Sequence, residues 1–598
     1  MKLTEHYLQL REALAAVDDY QAIQITIEEL AEILHCTPRY VKRLIKEMKS
    51  NGWLEWEVSY GRGKRPTLTF LKSKDAVTFE VSKLHIETGA YKEGLQLLHT
   101  LNSFYQQKLN EWIQEQFGYI EHRNSEEQLD ILRYPFYHAI HHLDPAHLKS
   151  IHENHLADHI FDTLLTFNPR SSAVEPHLAH HWEVDDTGKV WTFYLRKGVL
   201  FQHGRELTAD DVKATFERLI ETPFHNKWMI RHIKEIRLIK KYVVQFILDR
   251  PEYLFPNALC NKQLSIIPME VYNENPEQFT KLPIGSGPFK LTKHDDSMLR
   301  LDAHSSYFQG RPHLDRVEII TLLQMNEQEH HPFFHYFNQV TDKDQPMAWK
   351  EIEHPEEGAT YLSFNLFKSG VHQNKKIREA IRCSINRDQM CRDLLGERYF
   401  PADSQLIHIT ENTYNNPYDP AKAKRLLKEA GYNGEKITLY ATQLRKNAHL
   451  KKEALWLKDH LENSGLVVEV HVVPIDELIR KETLAEADII LAGMALGMDI
   501  QYSLLRFFQL PGSFIKALLG PELSMTFQKE LVHIQHEPNS LTRYQLLIDL
   551  EQLLKDEITY IPLFHRSHHV QVNQASPLSG VTLESYGKVS YKKLWFKT

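Results

Sequence analysis

The chain predicts a multidomain fold: an α+β winged helix-turn-helix head, a helical connector, and a large α/β body. Three observations predict it. Two short amphipathic patterns joined by a tight turn run into a basic hairpin between Ile25 and Phe70. Strand-like and helix-like segments alternate from about Tyr119 to the end, the texture of an α/β architecture. And 598 residues are too many for one hydrophobic core.

In the head, Ile27, Leu30, Ala31 and Leu34 recur at helical spacing, and Thr26 with Glu29 has the spacing of a capping box. Thr37 is a good N-cap for a second helix, with Pro38 in the tolerated first-turn position. Val41, Leu44, Ile45 and Met48 form the buried stripe of that helix. Arg39, Lys42, Arg43 and Lys46 repeat the same spacing two residues earlier, which puts the cations about half a turn away from the core. Gly52 ends the helix, Trp53 to Val58 reads as a strand, Tyr60 to Arg65 as a tight basic tip, and Thr67 to Phe70 as the returning strand. A recognition helix needs this geometry, one face docked on its own domain and the other presented to a major groove. Thr37, Arg39, Tyr40, Lys42, Arg43, Lys46, Tyr60, Arg62, Lys64 and Arg65 are the expected contacts to double-stranded DNA. Cys36 to Arg65 holds eight Lys/Arg and three Asp/Glu, a net of +5 on a chain of net charge −8. A local basic patch on an acidic protein is the electrostatic footprint of a nucleic-acid-binding head.

The connector spans 74–118, with Phe79, Leu84, Leu95, Leu98, Leu101, Leu109 and Trp112 as its apolar content. Such a segment either links the head to the body or pairs two copies of the chain as a homodimer. In the body, Leu129 to Arg133 reads as a strand, Leu156 to Leu165 as a helix, Val190 to Arg196 as an alternating strand and Asp210 to Leu219 as a helix. Further on, strands are expected at Thr360 to Leu366, Ile437 to Ala441, Val467 to Val473 and Asp488 to Leu491. Helices are expected at Lys376 to Ile385, Pro420 to Ala430 and Leu450 to Ser464.

Composition bounds the function. The chain is 42% hydrophobic and 25% charged, with no apolar run of membrane-spanning length, so no membrane partner is expected. Met1 to His6 opens directly into an amphipathic segment without an export-type apolar region, which points to the cytoplasm. Cys36, Cys260, Cys383 and Cys391 make no CxxC pair and read as reduced thiols. The 35 histidines include the group His147, His152, His155 and His159, but no converging metal-ligand set accompanies them, so no metal and no cofactor is expected. No GxSxG, P-loop, GxGxxG or HExxH motif occurs, and the chain does not read as an enzyme.

Blocks along the body resemble the family 5 extracellular solute-binding proteins, the peptide- and nickel-binding components of ABC transporters. Glu175-Pro-His-Leu-Ala-His-His-Trp182, Trp191 to Phe201, His203 to Val212 and Pro283-Ile-Gly-Ser-Gly-Pro-Phe289 carry the resemblance. Tyr361-Leu-Ser-Phe-Asn365, Lys376 to Ile381, Tyr418 to Gly431 and Ile561-Pro-Leu563 continue it in family order. With the basic head in front, and with Gly61 to Arg65 close to that family's wing, the whole chain resembles the SgrR-type transcriptional regulators. The resemblance implies a type II periplasmic-binding-protein-like body of two lobes. Head, connector and body are then 1–73, 74–118 and 119–598, with lobe I about 119–355 and 500–598 and lobe II about 356–499. It implies a regulator that senses a small cytoplasmic metabolite, a sugar phosphate or an oligopeptide-like solute. The alternative is the solute-binding component of an ABC peptide transporter.

On that resemblance Tyr361 to Asn365 is the first interlobe crossing and Ile489 to Met494 the second. Asn365, Met494 and Asp499 are then expected near the solute, with Tyr137 as a further candidate. Peptide-binding relatives place an aspartate where this chain has Gly497. A buried peptide ammonium would lack its partner there, which weakens the peptide reading.

Overall fold

In the computed structural model the chain forms two compact units, and all residues are described except 1, 59–64, 99, 116–117, 123–128, 137–139, 149, 225, 322–333, 338–348, 395–398, 444–448, 574–576, 583–587 and 598. The first unit comprises Met1–Ala139, Thr292–Leu301 and Arg316–Pro332, and the second the remainder.

The first unit begins with α1 (Lys2–Ala13), β1 (Ala22–Gln24), α2 (Ile27–Ile33), α3 (Pro38–Ser50), β2 (Leu54–Glu57) and β3 (Thr67–Phe70). Thr26 and Glu29 close the capping box on α2, and Thr37 caps α3 through the Tyr40 N–H. Gly52, at φ +67°, takes the left-handed position past the α3 C-cap that a side chain would strain. The three strands pair antiparallel in the order β1-β3-β2. Leu30 and Leu34 of the first stripe and Val41, Leu44, Ile45 and Met48 of the second meet Tyr7, Leu54, Leu68 and Phe70 in one core.

Three helices follow, α4 (Lys74–Glu87), α5 (Tyr91–Leu98) and α6 (Ser103–Glu115), then β4 (Gly118–His122) and β5 (Leu129–Phe136). Helix α4 is shared. Val77 enters the head core, while Phe79 and Ile86 enter a second core with Tyr91, Leu98, Leu109, Ile113, Met298 and Ile320. Met298 and Ile320 lie on the strands Met298–Ala303 and Arg316–Thr321, neighbours of β5 and β4 in a five-stranded sheet. The buried Arg133–Glu318 pair (2.7 Å) ties β5 to the strand Arg316–Thr321, and the Arg133 guanidinium sits 5.7 Å from the Tyr91 ring. The connector therefore shares a core with body strands, and a division at residue 118 runs through that core.

In the second unit the strands Ala179–Val184, Val190–Leu195, Ile233–Lys240 and Val243–Leu248 form an antiparallel sheet, covered by the helix Ala209–Glu221. The expected helix at Leu156 to Leu165 begins earlier, at Ile151, because Ser150 and Glu153 make a capping box. It ends at Ile160, and Leu165–Asn168 is a strand.

The larger sheet runs Phe334–Phe337, Tyr560–Asn573, Trp349–Phe364, Ile489–Ala495, Lys436–Gln443 and Val467–Pro474. Strand alternation divides its side chains between two cores. Leu362, Phe364, Leu439, Ile489 and Leu491 point to one face, beside the helices Lys375–Ser384 and His449–Asn463. Tyr361, Tyr440, Ile490 and Ala492 point to the other. On that second face lie Leu504, Leu505, Phe507 and Phe508 of the helix Ile500–Gln509, with the helices Pro521–His536 and Ser540–Asp556. The structure thus packs 500–556 with the strands of 356–499, whereas the sequence assigned that segment to lobe I. The apolar side of the Ile500–Gln509 helix has its complement on the Tyr361 face. The strand that pairs with Trp349–Phe364 along most of its length is Tyr560–Asn573, so this later segment makes the long return path.

Two outcomes follow from this packing. Fragment 119–598 strips the cover from Met298 and Ile320, each worth roughly 1.5–3 kcal/mol when fully buried. It should melt several degrees below fragment 74–598 in calorimetry, and equal melting temperatures would show the connector to be dispensable. Glu453 is fully buried, neither carboxylate oxygen has a hydrogen-bond partner among the described residues, and burial raises its pKa from 4.5 to about 7 despite nearby Arg566. A raised carboxyl pKa stabilises the fold at low pH, and that contribution is lost as pH climbs from 4.5 through about 7. Glu453→Gln should remove up to about 3 kcal/mol of this pH dependence in urea titrations between pH 5 and about pH 8.

Candidate functional site

On the head, the residues of α3 alternate by face as the capping and spacing dictate. Val41, Leu44, Ile45 and Met48 are buried, and Arg39, Lys42, Arg43 and Lys46 are exposed. Arg43 rests over the Tyr40 ring at 4.7 Å and approaches Glu47 at 3.8 Å. Among the described residues Arg39, Lys42 and Lys46 make no ion pair. Tyr40 also meets His6 edge-on, which fixes the first turn of α3 against α1. Arg65, at the base of β3, lies 3.3 Å from Glu29. The Thr26 backbone N–H, donating at 2.7 Å, holds the Glu29 carboxyl below its usual range, and the Thr26 hydroxyl and Arg65 add to this. Glu29 therefore serves both the start of α2 and the foot of the hairpin. Tyr60, Arg62 and Lys64 lie outside the described residues.

In the body the four expected solute contacts have different fates. Tyr137 lies outside the described residues. Asn365 is buried, and its amide nitrogen donates to the Leu484 and Ala487 carbonyls at 2.8 and 2.9 Å. Its carbonyl oxygen accepts from the backbone N–H groups of Phe367 and Lys368. All four hydrogen-bonding positions of the side chain are used by the chain itself. Asn365 pins the end of one central strand to the entry of the next, beside the buried His372, whose Nε2 lies 2.7 Å from the Asn365 carbonyl. Met494 lies on the strand Ile489–Ala495 opposite Ala359 and packs against the Tyr361 face.

Asp499 is the N-cap of the helix Ile500–Gln509, accepting from the Tyr502 N–H at 3.1 Å. Its other oxygen accepts from Asn257 at 2.7 Å. Burial raises its carboxyl pKa against the pull of Asn257, Tyr502 and Arg543. Both oxygens are engaged, so Asp499 joins the segment around Asn257 to this helix. Close by, burial raises the Glu252 carboxyl to about 8, and Gln535 donates to it at 2.6 Å. The Tyr253 N–H donates to the Gln535 carbonyl at 3.0 Å. Trp228 stacks on Tyr502 with centroids 5.5 Å apart. The residues brought together at this junction are Trp228, Glu252, Asn257, Asp499, Tyr502 and Gln535.

Sequence reasoning missed Tyr502, Arg506 and Gln509, which share one face of the Ile500–Gln509 helix. The signal was available as polar residues at i, i+4 and i+7 within an otherwise Leu/Phe-rich segment. Among the described residues no group of three or more metal-ligating side chains converges, and no helix is long and apolar enough to cross a membrane.

Because Asn365 makes four internal hydrogen bonds, Asn365→Ala should cost about 2–3 kcal/mol of stability in denaturant titrations. Its effect on any solute affinity should be no larger than that of an equally destabilising core variant. A selective loss of solute binding at unchanged stability would restore it as a contact.

Two family models match parts of the chain. Residues 173–513 match the bacterial extracellular solute-binding proteins, family 5. Residues 2–120 match the sugar transport-related sRNA regulator N-terminal family, a match that takes in the connector helices. The uncharacterized protein YhjP of Bacillus subtilis (strain 168) is 30% identical over 606 aligned residues, covering 100% of both chains. The HTH-type transcriptional regulator SgrR of Yersinia enterocolitica is 28% identical, covering 96% of this chain and 95% of its own. Among solved structures, NikA from Brucella suis in complex with Fe(III)-EDTA superposes with a TM-score of 0.68 at 20% identity, over 78% of this chain and 100% of that one. DppA from Helicobacter pylori in complex with the peptide STSA gives 0.65 at 22% identity, over 81% and 100%. At these identities the structural likeness shows the fold of the body. The chain belongs to the family 5 solute-binding proteins and, through its N-terminal 120 residues, to their SgrR-type regulator branch.

Proposed function

We propose that this protein is a transcriptional regulator that binds duplex DNA through a winged helix-turn-helix head and responds to a small solute held by its family 5 body. The observation that carries the reading is the row Arg39, Lys42, Arg43 and Lys46, exposed on the face of α3 opposite its core. The helix order, the antiparallel hairpin β2–β3 and the basic sequence between its strands support a wing beside that helix. Relatives named as HTH-type regulators over nearly the whole length support the regulatory role. The proposed site of action is the cytoplasm, with promoter DNA and a small molecule or peptide as partners, no catalytic step, and a homodimer as the DNA-bound form. A transport component shares the body's fold, but a head of this kind has no use in carrying solute to a permease.

Selection of bound fragments from genomic DNA supplies an operator, and salt titration then tests the face. Each phosphate-contacting cation among Arg39, Lys42 and Lys46, changed to Ala, should lower the log–log salt slope by about one. A base-reading residue should instead cost about 1–3 kcal/mol at one operator position. Simultaneous removal of all four cations with affinity and slope unchanged would sink the assignment.

A further inference from the structure

The helix Ile500–Gln509 carries a polar row in which several side-chain atoms have no hydrogen-bond partner among the described residues. Asp499, Tyr502, Arg506 and Gln509 fall within about a quarter turn of one another. Tyr502 and Gln509 are 6% and 7% exposed. The Tyr502 hydroxyl, Arg506 Nε, and both polar atoms of the Gln509 amide are buried with no hydrogen-bond partner among the described residues. On the adjacent helix Pro521–His536, Gln535 Oε1 is in the same condition. Buried polar side chains are mostly partnered in folded proteins, and each orphaned group costs about 1–3 kcal/mol. Three such residues on successive turns of one helix face are a concentrated exception.

The row looks toward the core beneath the antiparallel sheet that contains Val190–Leu195 and Val243–Leu248. Tyr502 stacks on Trp228, Asp499 is bound by Asn257, and Gln535 is bound by Glu252 and Tyr253. A molecule meeting the row therefore meets both sides of the body. Within the row Arg506 carries the positive charge, while Arg543 acts on Glu252 and Asp499. Arg506 makes no ion pair among the described residues, and neither does Lys516. Arg231 donates to His232, and burial together with Arg231 lowers the Lys516 pKa. The neighbouring carboxylates are occupied, Asp499 by Asn257 and its cap, Glu252 by Gln535.

We propose that Tyr502, Arg506 and Gln509 form a solute-recognition row, and that it takes a small anion bearing hydroxyl or amide groups. The assignment rests on the reading of the body as the sensor of a regulator, and names the residues and ligand charge for that sensor. Arg506 holds the anionic end, since a guanidinium binds carboxylate or phosphate oxygens alike. The Gln509 amide offers two donors and an acceptor, and the Tyr502 hydroxyl one of each, to the neutral polar groups. Trp228 and the Tyr502 ring supply the apolar wall.

The test uses the full chain, titrated by calorimetry with glucose 6-phosphate, citrate, glucose and dialanine. The expected result is binding of one or both anions, the phosphate and carboxylate arms telling the two sources apart, with glucose and dialanine at least about tenfold weaker. Arg506→Gln should raise the Kd of the bound anion on the order of tenfold or more, and Arg506→Lys should recover part of it. Tyr502→Phe removes a single oxygen and keeps the stacked ring, so it reports on the row even where the arginine variant folds poorly, and it should weaken binding severalfold. Glucose binding as tightly as the anions overturns the proposal. So does unchanged anion affinity in Arg506→Gln and Tyr502→Phe, or binding of none of the four compounds. Operator binding by the same preparations reports on the head separately. Anion binding that survives while operator binding is absent overturns the regulatory reading and leaves the row standing.

Discussion

The body depends on how one strand, Trp349–Phe364, is held between two others. It pairs antiparallel with Ile489–Ala495 on one side and with Tyr560–Asn573 on the other, and the register slips between Glu356 and Thr360. Gly358 sits at the slip with φ +107°, and a Cβ there would lie 2.1 Å from the Met494 carbonyl oxygen. A side chain is excluded both by conformation and by space. The Gly358 carbonyl lies 2.8 Å from Nδ1 of the fully buried His565, whose Nε2 lies 2.9 Å from the Thr410 hydroxyl. Burial lowers the His565 pKa to about 4, so the ring is neutral at physiological pH and serves as a fixed strut. Above the slip, residues 360–364 feed the two cores on opposite faces. Below it, 349–356 pair with the far end of the returning strand. The Tyr361 face of this upper half packs against the Ile500–Gln509 helix, whose start is also held by the Asn257–Asp499 bond and the Trp228–Tyr502 stack.

The first unit follows a different logic. Helix α4 belongs to two cores at once, with Val77 in the head and Phe79 and Ile86 in the connector. Lys74 approaches Glu12 of α1 at 3.7 Å, and the Tyr7 hydroxyl donates to the Lys72 carbonyl at 2.6 Å, so the start of α4 is fastened to the head. The other end of the connector is fastened to the sheet through Met298 and Ile320. A head mounted this way has little freedom to swing on a tether, because reorienting it means breaking a packed core rather than bending a loop. The strands around Met298 thereby share one core with α4, without an intervening linker.

The local parts of this design were legible in the sequence. Thr26 and Glu29, Thr37 and Pro38, and the apolar stripes of α2 and α3 are set by contacts within one or two turns, and the structure has them where the spacing put them. The strand at Val190 and the helices at Lys376 and Pro420 were equally local. What was illegible depends on partners far away in the chain. Nothing near Phe79 or Leu109 announces that Met298 and Ile320 complete their core. The segment after Asp499 gave no sign of which core it joins, since Leu504 and Phe508 suit any apolar face. Asn365 and Asp499 were expected near the solute from the family resemblance, and the structure uses the one as an amide fixing the chain after a strand and the other as a helix cap.

The orphaned row on the Ile500–Gln509 helix gives that arrangement an energetic meaning. With Trp228 and Asn257 against the row, Tyr502 and Gln509 are shut away from bulk water and Arg506 is half-buried, and several of their donors and acceptors lack partners among the described residues. Direct bonds such as Asn257 to Asp499 and Gln535 to Glu252 offset part of the cost of burial, while the Tyr502 hydroxyl, Arg506 Nε and the Gln509 amide have no partner among the described residues. On that proposal, an arrangement that covers these groups is favoured in proportion to what a bound solute supplies to them, and one that exposes them regains their hydration. A ligand shifts such an equilibrium only by its differential affinity for the two states. Buried polar groups that are empty-handed in one state are an efficient source of that difference, because each bond made to them counts in full against water. A coupling of about 1–3 kcal/mol, the usual scale for linked sites, needs only one or two such bonds. The same groups would discriminate among solutes, since a molecule lacking the matching oxygen or nitrogen leaves the cost of covering them unrelieved.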